Sequence, residues 1–213
     1  MTVQEIIQQF ITGMKGTKPI EYVAVFAGIA SVWFSRLENI WVYPTGLINT
    51  IIYIYLSFTQ GLFGEASVNF YYTIMSIYGW VLWAKKDLDK KPVLHITSSS
   101  KKEWLQQLGF FAGCYIALFI SLDYLKNNFA PEAIPWADAF ASATAYTGMW
   151  LMTKKKIESW YWWIATNIAS IPLYFVKHYV FTSVFYFVLL IMAVFGLIEW
   201  LKRKRDATMK LEL

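Results

Sequence analysis

Trp160, Trp163 and Asn167 are separated by three and four residues, so a helix carries all three on one face. Ser170 and Tyr174 continue that face. Indole faces attract delocalised cations through the ring quadrupole, at about 1–2 kcal/mol when desolvated. An asparagine amide both donates to and accepts from sugar hydroxyls or a carboxamide. Together they describe a pocket for a flat, weakly polar or cationic ring. Trp162 points elsewhere, to the membrane interface or a neighbouring helix. For Trp160, near one end of its segment, an interfacial aromatic belt is the alternative reading.

Other chemistries lack their residues. No G-x-x-x-x-G-K-[ST] loop is present, which excludes ATP hydrolysis of the P-loop kind. No H-E-x-x-H occurs, and two histidines, His95 and His178, are too few for a histidine-rich metal cluster. Asp123 and Asp138 fall near the outer surface, and no acidic pair falls at mid-membrane to relay protons. We expect no catalytic residue, no metal and no cofactor. The single cysteine, Cys114, lies in an apolar run and reads as a buried, inert thiol.

The elements that must position the aromatic face are membrane helices. The chain of 213 residues is 57% hydrophobic and 15% charged, with a mean hydropathy of +0.41. Soluble domains carry about 25% charged residues. The apolar residues come in long blocks separated by short basic patches, the pattern of an all-α polytopic membrane protein. Seven transmembrane helices are predicted, over 20–36, 39–58, 66–84, 104–123, 136–153, 159–176 and 179–200. Two stretches, 22–35 and 139–152, are rich in Ala, Gly, Ser and Thr, which predicts close packing against protein rather than lipid. Val3, Ile6, Ile7, Phe10 and Ile11 trace one helical face, so residues 1–18 read as an interfacial helix and not as a signal peptide. The 85–102 segment, with "LHITSSSKK", reads as a polar, mobile cytoplasmic loop, and 204–213 as a cytoplasmic tail.

Fifteen Lys and Arg residues fall on one side of these spans and four on the other. That bias puts the C-terminus in the cytoplasm and the N-terminus outside. The net charge of +5 comes from these segment ends and does not point to nucleic acid.

A shift of about 117 residues brings the chain onto itself. Trp33 falls on Trp150, Phe70 on Phe187, Gly79 on Gly196, Trp83 on Trp200 and Lys85 on Lys202. With one more residue of offset, Asn49 falls on Asn167. The chain thus reads as a three-helix repeat at 20–84, a linker helix at 104–125 and a second repeat at 136–203. An odd linker makes the repeats parallel, a 3+1+3 arrangement of the kind seen in SWEET transporters. Substrate then binds near the midplane between the repeats. Asn49 and Asn167 are expected to face each other there, helix–helix glue being the alternative reading. Trp41 and Thr45 complete a first-half stripe with Asn49, and the same geometry adds Tyr72 to the candidates. Pro44 and Pro172 sit within the middle spans, where they can kink a helix. Glu38 and Glu158 begin the middle spans and read as helix N-terminal caps.

The spacing Trp160-x-x-Trp163-x-x-x-Asn167 resembles the W-x-x-W-x-x-x-N signature of the PnuC family of bacterial vitamin transporters. The wider stretches "ESWYWWIATNIASIPLYFVKHYVFTSVFYF" and "YYTIMSIYGWVLWAKK" look like that family too, from about residue 20 to 203. The resemblance implies a SWEET-related 3+1+3 fold, a homotrimer and the bacterial inner membrane. It implies uptake of nicotinamide riboside by facilitated diffusion, with trapping by a cytoplasmic kinase. Branches of the family carry thiamine, also a flat cation, so both vitamins fit the pocket logic. A SWEET-like sugar carrier is the remaining alternative.

Overall fold

The structure, a computed structural model, describes residues 2–59, 63–128 and 134–209. Met1 and residues 210–213, with Lys210 of the expected tail, lie outside the described residues. Among the described residues eight helices follow one another: α1 (Val3–Gly16), α2 (Pro19–Arg36), α3 (Val42–Thr59), α4 (Phe63–Ala84), α5 (Lys101–Asn128), α6 (Pro135–Thr153), α7 (Glu158–Val176) and α8 (Val180–Met209). Helices α2 to α8 occupy the seven predicted segments, and α1 the predicted N-terminal one.

The boundaries have local causes. Thr2 and Glu5 cap α1 reciprocally, side chain to backbone in both directions. Ser100 and Glu103 do the same for α5, which starts three residues before the apolar run. Helix α3 begins at Val42, later than predicted, because Glu38 takes a positive φ of 57° and Asn39 Oδ1 accepts the Trp41 N–H. Helix α8 runs beyond the apolar stretch into the charged tail, where Arg203 pairs with Glu199 one turn back.

Each helix packs on its sequence neighbour within α2–α3–α4 and within α6–α7–α8. Helix α5 packs on α6, and α1 on α8. The two triplets meet through α2 against α8 and α4 against α6. The outside of this bundle is apolar: Phe26, Ile51, Ile77, Ile120, Ile168 and Phe195 are among the exposed large side chains. Water does not tolerate such continuous apolar cover, whereas hydrocarbon does. Helices α5 and α8 are also long and apolar enough to cross a bilayer by length and composition. The chain is an all-α membrane protein.

The two small-residue helices differ. In α6 most residues from Ala139 to Thr153 are buried, as their size predicts. In α2 only Ala24 and Ser35 are, and Val23, Phe26 and Trp33 are exposed. Helix α6 has three neighbours, α4, α5 and α7, while α2 has two, α3 and α8. The 85–102 segment is tied down rather than free. Thr97 exchanges backbone hydrogen bonds with Lys155 and Ile157, and Lys204 donates to Ser98 Oγ. Glu158 accepts from both the N–H and hydroxyl of Ser99, each at 2.8 Å, so it anchors this loop besides opening α7.

Candidate functional site

Helix α7 carries the signature residues, and its neighbours decide what each can do. The Trp163 ring lies flat against Gly148 of α6, where a Cβ would come within 3.2–3.3 Å of the indole. Any larger residue would push the ring back by a few tenths of an ångström. Trp163 then meets Tyr72 of α4, ring centroids 6.2 Å apart. Tyr72 stands edge-on to Tyr146 of α6, also at 6.2 Å. Tyr146 in turn lies 4.3 Å from Tyr71, whose hydroxyl donates to the Tyr146 carbonyl at 3.1 Å. Three helices thus converge on one aromatic cluster near mid-bundle.

One turn along α7 from Trp163 sits Asn167, 3% exposed. Among the described residues its side chain makes no hydrogen bond. Its neighbour Thr166 does, to Thr144 of α6 at 2.9 Å and to the Trp162 carbonyl. Ser170, the next residue on the Asn167 face, is equally buried. Beyond it Tyr174 stacks on Tyr186 of α8, centroids 5.1 Å apart and planes 13° off parallel. The face predicted from spacing is therefore continuous: an indole, an amide, a hydroxyl and a phenol.

Trp160 lies one turn away, inside the main apolar cluster with Tyr43, Trp83 and Trp200. Its ring fits over Gly196, where a Cβ would collide with ring carbons, and Trp200 meets it edge-on at 5.5 Å. Its indole N–H is buried with no acceptor among the described residues. Trp162 turns the other way, onto α5, donating to Gln107 Oε1 at 3.2 Å.

The first-half candidates are placed differently from the stripe expected of them. Trp41 is 58% exposed in the turn just before α3, and its carbonyl accepts the Thr45 hydroxyl. Asn49 donates to the Ala24 carbonyl of α2 at 2.7 Å, a helix–helix tie. The structure brings Trp163, Asn167 and Tyr72 into one region, continues it to Tyr174, and does not bring Trp41 or Asn49 to it. The cause is register. Tyr43 fits Gly79 and meets Trp83 edge-on at 5.3 Å, just as Trp160 fits Gly196 and meets Trp200. At this common offset of 117, Trp163 corresponds to Gly46 and Asn167 to Thr50. Thr50 accepts from Thr73 of α4. The added residue that aligned the asparagines moves Asn49 by about 100° around α3.

Spacing within α7 could not reveal Tyr71, Tyr146 or Tyr186. Gly148, in a helix of small residues, was the one available signal for a ring on α6. A separate groove of about 490 Å³, between α1 and the start of α8, is lined by Gln9, Thr12 and His178 among others and holds none of the candidates.

Comparison with known proteins fits this geometry. A family model described as nicotinamide mononucleotide transporter matches residues 18–202. The nicotinamide riboside transporter PnuC of Escherichia coli K12 is 24% identical, over 96% of this chain and 95% of its own. The riboflavin/roseoflavin transporter RibM of Streptomyces davaonensis is 20% identical, over 90% and 89%. A crystal structure of the vitamin B3 transporter PnuC superimposes with a TM-score of 0.67 at 23% identity, covering 94% of this chain and 88% of that one.

Proposed function

The chain belongs to the nicotinamide mononucleotide transporter family, and on that premise we propose that it carries nicotinamide riboside across the bacterial inner membrane. The observation that carries this reading is Asn167, whose amide makes no hydrogen bond among the described residues, one turn from the ring cluster of Trp163, Tyr72 and Tyr146. Indole and phenol faces hold the pyridinium ring, and the Asn167 amide takes the carboxamide or the ribose hydroxyls. Transport is facilitated diffusion by alternating access, and a cytoplasmic kinase traps the product.

The architecture proposed with it has seven spans in a 3+1+3 parallel repeat. The matching fits of Tyr43 on Gly79 and Trp160 on Gly196 support it, as do the reciprocal contacts of α2 with α8 and α4 with α6. Helix α5 is the linker, α1 lies at the interface, the C-terminus is cytoplasmic, and three copies assemble. Trp160 belongs to the site through its unpaired N–H. Trp41 and Asn49 serve the first half as structural residues.

A second reading, riboflavin, is favoured by the RibM relative, whose substrate is flat and uncharged. Calorimetry on purified protein with nicotinamide riboside, thiamine and riboflavin decides. Nicotinamide riboside is expected to bind best, and a preference for either other vitamin overturns the assignment.

A further inference from the structure

At the end of the bundle that carries Lys154–Lys156, the two triplets are locked together by groups at repeat-equivalent positions. Glu38 follows α2 and Lys155 follows α6, 117 residues apart. Both take a positive φ, 57° and 50°, although neither is glycine. They pair with each other, Lys155 Nζ to Glu38 Oε1 at 2.6 Å, with Lys155 4% exposed. The ammonium also sits over the Trp83 ring, 4.6 Å from its centroid. Arg203 approaches the other Glu38 oxygen at 3.7 Å.

Beneath the pair the tryptophans cross-tie the triplets in the same reciprocal way. Trp83 Nε1 of α4 donates to the Thr153 carbonyl of α6 at 3.2 Å. Trp200 Nε1 of α8 donates to the Ser35 carbonyl of α2 at 3.0 Å. Their rings lie 6.3 Å apart. Against them pack Tyr43 and Trp160, whose polar atoms are both buried without partners among the described residues. The positive φ values close the ends of α2 and α6, as His178 does after α7, but a structural core has no reason to strand two polar groups at repeat-equivalent positions. A surface that must part has such a reason, because parting lets both groups reach water.

We infer that this end is a closed gate, latched by the Glu38–Lys155 pair. Loss of the pair frees Trp83 and Trp200 to separate. That opens a path from the aromatic site past Tyr43 and Trp160 to the side bearing the C-terminus. The inference rests on the transport reading above, but its test does not depend on the substrate.

The test reads the labelling rate of one cysteine. Ser76, 3% exposed on α4 between Tyr72 and Gly79, is replaced by cysteine in a Cys114→Ala chain. A membrane-impermeant thiol reagent is added from the C-terminal side. With the latch intact, labelling is slow. Glu38→Gln and Lys155→Met each speed it by about tenfold or more, since breaking a buried pair strands one charge. The exchanged pair, Glu38→Lys with Lys155→Glu, restores slow labelling and shows that the fold tolerates both sites. Unchanged labelling in both single variants, or fast labelling in the exchanged pair, overturns the latch. Absence of nicotinamide riboside binding by the parent chain, with the labelling pattern as expected, overturns the substrate and leaves the gate.

Discussion

Asn167 is where a residue can be asked directly whether it serves the fold or the ligand. Asn49 and Thr166 spend their polar atoms on neighbouring helices; Asn167 does not. We predict that Asn167→Leu leaves the empty protein about as stable as before, because no side-chain hydrogen bond among the described residues is lost. The same substitution weakens nicotinamide riboside binding by roughly threefold to tenfold or more. Thermal unfolding and calorimetry check the two arms, and a loss of stability would mark Asn167 as glue. Trp163→Leu is expected to cost about tenfold in affinity for the cationic ring, and Trp163→Phe less, following the strength of the ring face. The α7 half of this site was legible from spacing alone, since residues three and four apart must share a helical face. The partners from α4, α6 and α8 were not, because which helix covers that face depends on packing. The pairing of the two asparagines failed for a related reason: one inserted residue in an alignment turns a helical side chain by about 100°.

At the scale of elements, seven apolar segments and an amphipathic first one marked the helices. The departures sit where polar side chains override apolar length, as at the Ser100–Glu103 cap and the Asn39 turn. The 85–102 loop looked free by composition, yet Glu158 and Lys204 hold it by long-range hydrogen bonds that no local pattern reports. The repeat is carried most firmly by Gly79 and Gly196, each beneath an aromatic ring. Gly196→Val is predicted to destabilise the protein by about 1–3 kcal/mol or to block its folding, because the ring of Trp160 has no room to retreat. Gly79→Val acts alike on Tyr43. Gly16, with nothing within 4 Å of its Cβ position, should tolerate the same change. Detergent melting temperatures of the three variants compare them, and equal losses would argue against the paired fit.

For the whole molecule, charge placement and assembly make the accessible predictions. The basic residues at 85–102, 154–156 and 202–205 belong to one end of the bundle, where Glu38, Glu103 and Glu158 also gather. A reporter active only in the cytoplasm is expected to work when fused to the C-terminus, and one active only outside to fail there. Light scattering in detergent is expected to give three chains per particle. On the proposed reading, the Trp163–Asn167 face carries nicotinamide riboside through the membrane. Uptake of labelled nicotinamide riboside into proteoliposomes tests it most directly. Saturable uptake by the parent chain is expected, reduced severalfold or more in Asn167→Leu. Equal uptake by the two would contradict it, as would a parent chain no faster than empty liposomes.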